Sequence, residues 1–181
     1  ELEPSATSND GVWRLPDGKA YYREAIEQHT TTKMNPDEIH AIGVAEVERI
    51  GTEIDAILRA KGLVEGTIGQ RVRRIAERPD QLYPDTDQGR EQILADYQSI
   101  LDKIEPAMEQ YFNLKPKFGV EVKRVPEFAE ETSPGAYYQP RSLDGKRKGA
   151  FFANLRDVTE IPKFGMRTLA YHEGIPGHHF Q

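Results

Sequence analysis

Tyr171-His-Glu-Gly-Ile-Pro-Gly-His-His-Phe-Gln181 closes the sequence and sets how the rest of it is read. Three of the five histidines, His172, His178 and His179, fall within eight positions and stand beside Glu173. A His-Glu pair followed by further histidines is the arrangement of zinc hydrolases, in which imidazoles hold the metal and the adjacent glutamate handles protons. Leu169 and Ala170 lead into the pair at helical spacing, so the motif is expected on a helix that starts near Pro162 or Lys163.

The spacing is not that of a plain two-histidine helix, because position 176, four residues after His172, is Pro. At about 100° per residue, an ideal helix places His178 roughly 240° round from His172, and His179 on nearly the same face but about 10 Å along the axis. Neither histidine would meet His172 at one ion. Pro176 cannot donate to the carbonyl of His172, disfavours helical geometry at Ile175, and precedes the permissive Gly177. A kink or bulge over Ile175-Pro-Gly177 is therefore expected to return one later histidine to the metal, His178 by preference and His179 as the second choice.

Outward from this helix, Gly149-Ala-Phe-Phe-Ala-Asn-Leu155, Ala136-Tyr-Tyr-Gln139 and Phe118-Gly-Val-Glu-Val-Lys-Arg-Val125 read as three short strands, with Pro140 and the Leu143-Asp-Gly-Lys146 turn between the later two. The segment from Ala150 to Leu155 is expected to run along the cleft as an edge strand, offering backbone hydrogen bonds to an extended peptide. Asn154, Tyr137 and Tyr138 are the candidate substrate-binding residues. Before the sheet the pattern is helical. Ile93, Leu94, Tyr97, Ile100, Leu101, Ile104 and Met108 keep helical period, with a kink or break expected at Pro106. Asn35-Pro-Asp-Glu38 is a helix start, with Asn35 as cap, Pro36 at the first position and two carboxylates in the first turn. The helix it opens is expected over about 36–61, with Val47, Ile50, Ile54, Ile57 and Leu58 on its apolar stripe. Shorter helices are expected from Asp17-Gly18, through Tyr21, Tyr22, Ala25 and Ile26, to near His29, and over about 68–77.

The expected organisation is a flexible segment over residues 1–16, a helical region over 17–115, and a small sheet followed by the metal-motif helix over 116–181. The fold class is mainly α with a small β-sheet (α+β). The 181 residues carry a net charge of -6, which argues against a nucleic-acid partner, and no apolar run approaches the roughly 20 residues that span a bilayer. With no cysteine, any zinc site must use His, Glu or Asp. His29 and His40 stand alone and are expected at the surface. The abrupt ends, Glu1 without a leader and the stop soon after His179, make the chain read as a piece of something longer.

Thr30-Thr-Thr32, Asn35-Pro-Asp-Glu-Ile-His-Ala-Ile-Gly43, Ala136-Tyr-Tyr-Gln-Pro140, Asp144-Gly145, Phe151-Phe-Ala-Asn-Leu155 and the closing HExxPGHH run together resemble the bacterial family catalogued as domain of unknown function 885. The resemblance extends roughly from Asp17 to Gln181. It implies a zincin-like, carboxypeptidase-like helical architecture that this chain contains in part. It also implies a zinc metallopeptidase in which Glu173 is the general base and His172 and His178 are ligands. Relatives with a His-Glu helix place the next ligand directly after Gly, which again selects His178. The third ligand, a Glu, is expected from a later helix beyond Gln181, making the remainder of the parent polypeptide a partner alongside the peptide substrate. Export to the periplasm or attachment as a lipoprotein is expected by the same resemblance, with a cytoplasmic location as the alternative. Two other readings stand beside the enzyme: a non-catalytic helical binding module, or an inactive fragment whose histidine cluster is vestigial. Weak zinc binding and little turnover are expected of the 181 residues alone.

Overall fold

The computed structural model describes residues 11–142, 144 and 146–181. The first ten residues, expected to be flexible, lie outside the described residues, as do Leu143 and Gly145 of the expected turn. The chain forms two compact units, one ending at Ile68 and the other spanning Gly69–Gln181. The helical region expected over 17–115 is thus divided, and its second half belongs with the sheet and the metal-motif helix.

The first unit holds α1 (Gly18–Thr30) and α2 (Pro36–Ala60). Asn35 begins α2 as expected. Its side chain accepts the backbone N–H of Glu38 at 2.9 Å, and the Glu38 carboxylate accepts the N–H of Asn35 at 3.0 Å, a reciprocal cap that satisfies two otherwise orphaned donors. Thr31 ends α1 in the left-handed region at φ 56°. Of the apolar stripe on α2, Leu58 is buried while Val47, Ile50 and Ile57 are exposed.

The second unit is built as α3 (Ile68–Ala76), α4 (Asp87–Ile104), β1 (Val120–Arg124), β2 (Ala136–Gln139), β3 (Gly149–Ala153), α5 (Lys163–Glu173) and α6 (Gly177–Phe180). Thr86 caps α4 by accepting the N–H of Gly89, and α4 gives way at Ile104 to a 3-10 turn carrying Pro106, the break its ring demands. The three strands form one mixed sheet in the order β1-β3-β2, with β1 parallel and β2 antiparallel to β3. The expected edge position of the strand at Ala150 is therefore corrected: β3 is central. Gly149, Ala150, Phe151 and Ala153 are buried, and an apolar run with hydrogen-bonded neighbours on both sides is what an internal strand looks like.

The two edges differ. At β1 the side-chain amide of Gln98, on α4, accepts the Val122 N–H at 2.9 Å and donates to the Val120 carbonyl at 3.4 Å. At β2 no backbone or side-chain group among the described residues pairs with the outward face of the strand. The core lies between α4, the sheet and α5, where Ile93, Tyr97, Leu101, Phe151, Met166, Ala170 and Ile175 are all buried. This packing holds α5 against α4 and beside β2, and so fixes where the last turn of α5 presents its side chains.

Candidate metal centre

His172 and Glu173 occupy the final turn of α5, and Gly174 ends the helix with φ -107° and ψ -112°. The chain then passes through a cis Ile175–Pro176 peptide into the single turn of α6. This is the distortion that Pro176 predicts. Gly177 makes it possible: a Cβ there would sit 1.9 Å from the His172 carbonyl oxygen and 2.4 Å from that of Tyr171, so only glycine lets the chain fold back over the helix end.

The fold-back brings His172, Glu173 and His178 together, each offering a ligand-capable atom within 4.8 Å of the others. The rings of His172 and His178 lie 4.9 Å apart and nearly perpendicular, and His178 Nε2 is 3.9 Å from Glu173 Oε2. His178 Nδ1 is 2.8 Å from Gln181 Oε1. The amide oxygen only accepts, so Nδ1 carries the proton, and the Nε2 lone pair is left facing Glu173. An outer partner that fixes the tautomer in this way is what a metal-binding imidazole needs.

His179 is committed elsewhere. It is buried, and burial lowers its pKa, an effect that the Phe118 carbonyl partly opposes, so the ring is neutral with one N–H to give. Nε2–H donates to the Phe118 carbonyl at 2.8 Å, and Nδ1 accepts from the Tyr138 hydroxyl at 2.8 Å. With both nitrogens engaged, His179 is an anchor for α6, and His178 is the histidine that the fold-back brings beside His172. Gly149 permits the anchor, since a Cβ on it would come within 2.3 Å of the Tyr138 hydroxyl and 3.0 Å of His179 Nδ1.

Glu173 is 9% exposed and accepts no hydrogen bond among the described residues. It opens instead on a cavity of about 490 Å³, shared with Ala136, Tyr137, Tyr138, Pro140, His178 and Gln181. Tyr137 and Tyr138 are thus brought to the site, through β2. Asn154 is not on this cavity. Its side-chain amide donates to the Glu130 and Ser133 carbonyls and accepts the Arg156 N–H, tying down the loop before β2. His29 and His40 are exposed on α1 and α2, as expected. Gln181, Gly149 and the Phe118 carbonyl were not legible as site components. Only Gln181, three residues after His178, carried a local signal.

The donor set fits zinc. Two imidazoles, His172 and His178, with no thiolate and with the Glu173 carboxylate beside them, are groups used at catalytic zinc sites, where ligand bonds are about 2.0–2.2 Å.

No helix among the described residues is long and apolar enough to cross a membrane. The fold is similar to the crystal structure of the putative lipoprotein from Colwellia psychrerythraea, with a TM-score of 0.93 and 39% identity over 99% of this chain. The chain spans 31% of that protein's length. No curated protein matches it. The model of one family, described as "Bacterial protein of unknown function (DUF885)", matches residues 1–181 in full, and the chain belongs to that family.

Proposed function

We propose that this chain carries the proton-handling half of a zinc-dependent peptidase site, with Glu173 as general base and His172 and His178 as two of the metal's ligands. The observation that carries the reading is the state of Glu173: a nearly buried carboxylate with no hydrogen-bond donor, open to a cavity, 3.9 Å from an imidazole nitrogen whose tautomer is fixed. A structural metal site has no use for such a base. When bound, zinc would supply Lewis acidity and a water whose pKa is lowered toward about 7.

Glu173 receives the proton of the attacking water on its carboxylate, which lines the cavity, and delivers it to the leaving amine nitrogen. Gln181 keeps His178 in the tautomer that leaves Nε2 unprotonated. The open edge of β2, ending at Pro140, borders the same cavity and offers main-chain donors and acceptors to an extended peptide, the role first expected of β3. The third ligand belongs to this proposal as a Glu supplied from outside these residues. Export of the protein belongs to it as well, supported by the likeness to a structure described as that of a putative lipoprotein.

The test is zinc content and peptide hydrolysis of the intact protein and its Glu173→Gln variant. The expected result is zinc retained in both and hydrolysis lowered roughly 10²–10⁴-fold in the variant. Equal hydrolysis by the two, or an intact protein that takes up no zinc, overturns the reading and leaves a binding module.

A further inference from the structure

A second cavity of about 380 Å³ lies in the same unit, walled by Tyr97, Ala136, Asn154, Ile161, Met166 and Leu169. It is joined to the first by shared parts. Ala136, at the start of the open edge strand, lines both cavities. Met166 and Leu169 stand seven and four residues before Glu173 on α5, so all three lie on one helix face, with Leu169 about 6 Å along the axis from Glu173. An extended peptide advances about 3.3 Å per residue, so the near, Leu169 side of the second cavity lies within two residues of a bond held at Glu173, and its Met166 side about one residue further.

The wall of this cavity holds a polar group without a partner. Tyr97 is 1% exposed and packs edge-on against Phe151, yet its hydroxyl makes no hydrogen bond among the described residues. Among those residues, no polar side-chain atom that is fully shut off from solvent lacks a partner, so the Tyr97 hydroxyl keeps access to open space. The cavity is the open space that Tyr97 lines. A buried hydroxyl left without a partner is costly, which makes it a place where a ligand group gains by binding. The Asn154 amide beside it is already engaged with loop carbonyls.

Resting on the peptidase reading above, we propose that this cavity is a side-chain pocket of that site. It accepts a substrate residue with an apolar body and a hydrogen-bonding tip, of which tyrosine is the model, within two positions of the cleaved bond. Ile161, Met166 and Leu169 take the ring and the Tyr97 hydroxyl meets the tip, with the Glu160 carboxylate on the same wall as a further acceptor. The pocket then sets which peptides are cut, and Glu173 sets that they are cut.

Two variants test it. Gly165 also lines the cavity, and a Cβ on it would meet nothing within 4 Å, so Gly165→Leu fills the pocket from inside the first turn of α5 without a clash at the backbone. Tyr97→Phe removes only the hydroxyl. Hydrolysis by the intact protein is measured on peptides that differ at one position, carrying Tyr, Phe or Ala within two residues of the cleaved bond. Binding of N-acetyl-tyrosinamide is measured separately by NMR in the presence of a chelator. The wild type is expected to prefer Tyr over Phe roughly tenfold in kcat/KM, the scale of one hydrogen bond to a buried hydroxyl. Tyr97→Phe is expected to erase that preference, and Gly165→Leu to turn selection toward Ala and to abolish binding of the amide. The pocket is overturned by an unchanged rank order in Gly165→Leu, or by binding that the variants leave untouched. Binding that Gly165→Leu abolishes, in a protein that cleaves no peptide, supports the pocket and overturns the peptidase reading alone.

Discussion

Gly149→Ala tests the assignment of His179 as an anchor. The added Cβ would lie 2.3 Å from the Tyr138 hydroxyl, 3.0 Å from Tyr138 Cζ and 3.0 Å from His179 Nδ1. To reach ordinary contact the hydroxyl must retreat by about 1 Å, which stretches its 2.8 Å bond to His179 beyond hydrogen-bonding range. His179 is 8% exposed, so the freed ring nitrogen has little access to water. An unsatisfied buried group costs roughly 1–3 kcal/mol, and replacing a strand glycine by alanine returns about 0.5–1 kcal/mol. A net loss of about 1–2 kcal/mol follows, or roughly 2–8 °C in Tm for a chain of this size. Because α6 carries His178, zinc affinity is expected to fall about tenfold as well, the usual effect of disturbing an outer support. Urea unfolding and a zinc titration read the two effects. Tyr138→Phe loses the same hydrogen bond, so the double variant should fall short of the sum of the single losses by about 1 kcal/mol. Strict additivity, or a Gly149→Ala protein as stable as the wild type, refutes the coupling of Gly149, Tyr138 and His179.

Other substitutions separate the remaining roles. His178→Ala, at a half-exposed side chain, is expected to lower zinc affinity sharply while changing stability by less than about 0.5 kcal/mol, whereas His179→Ala costs about 2 kcal/mol through two lost buried hydrogen bonds; calorimetry with and without zinc distinguishes them. The Arg124 guanidinium holds the Glu130 carboxyl below the usual glutamate range. Glu130 therefore stabilises the fold fully above roughly pH 5 and loses that contribution as pH falls through its lowered native value, so Glu130→Gln should flatten the acid limb of a stability-against-pH curve. Asn35→Ala removes the reciprocal cap of α2 and is expected to lower the stability of the first unit by about 1 kcal/mol, seen as faster amide exchange in the first turn of that helix.

What was legible in the sequence was local. The Asn35 cap, the Pro106 break and the Pro176 distortion each depend on groups within about four residues, where backbone sterics decide the outcome. Strand order was not local. Three strands of four or five residues admit several orders, and the edge position expected of β3 fails because its run Gly149-Ala-Phe-Phe-Ala153, apolar at every position, is that of an internal strand. The free edge went to β2, whose Tyr-Tyr-Gln composition suits a half-covered strand. The sequence favours His178 over His179 but does not show what occupies His179, because its partners, Tyr138 and the Phe118 carbonyl, lie 41 and 61 residues away in sequence. Asn154 shows how a strand-end polar residue reads two ways: its amide is bonded to the Glu130 carbonyl and ties the loop, while the residue also lines the second cavity.

The position of a bound metal is the most direct test of the roles given to His172, Glu173, His178 and His179. Crystals of the intact protein grown with zinc, measured at the zinc absorption edge, are predicted to show one anomalous peak bonded to His172 and His178, with Glu173 beside it and His179 still bound to Tyr138 and Phe118. A peak on His179, or none near the close of α5, would contradict it.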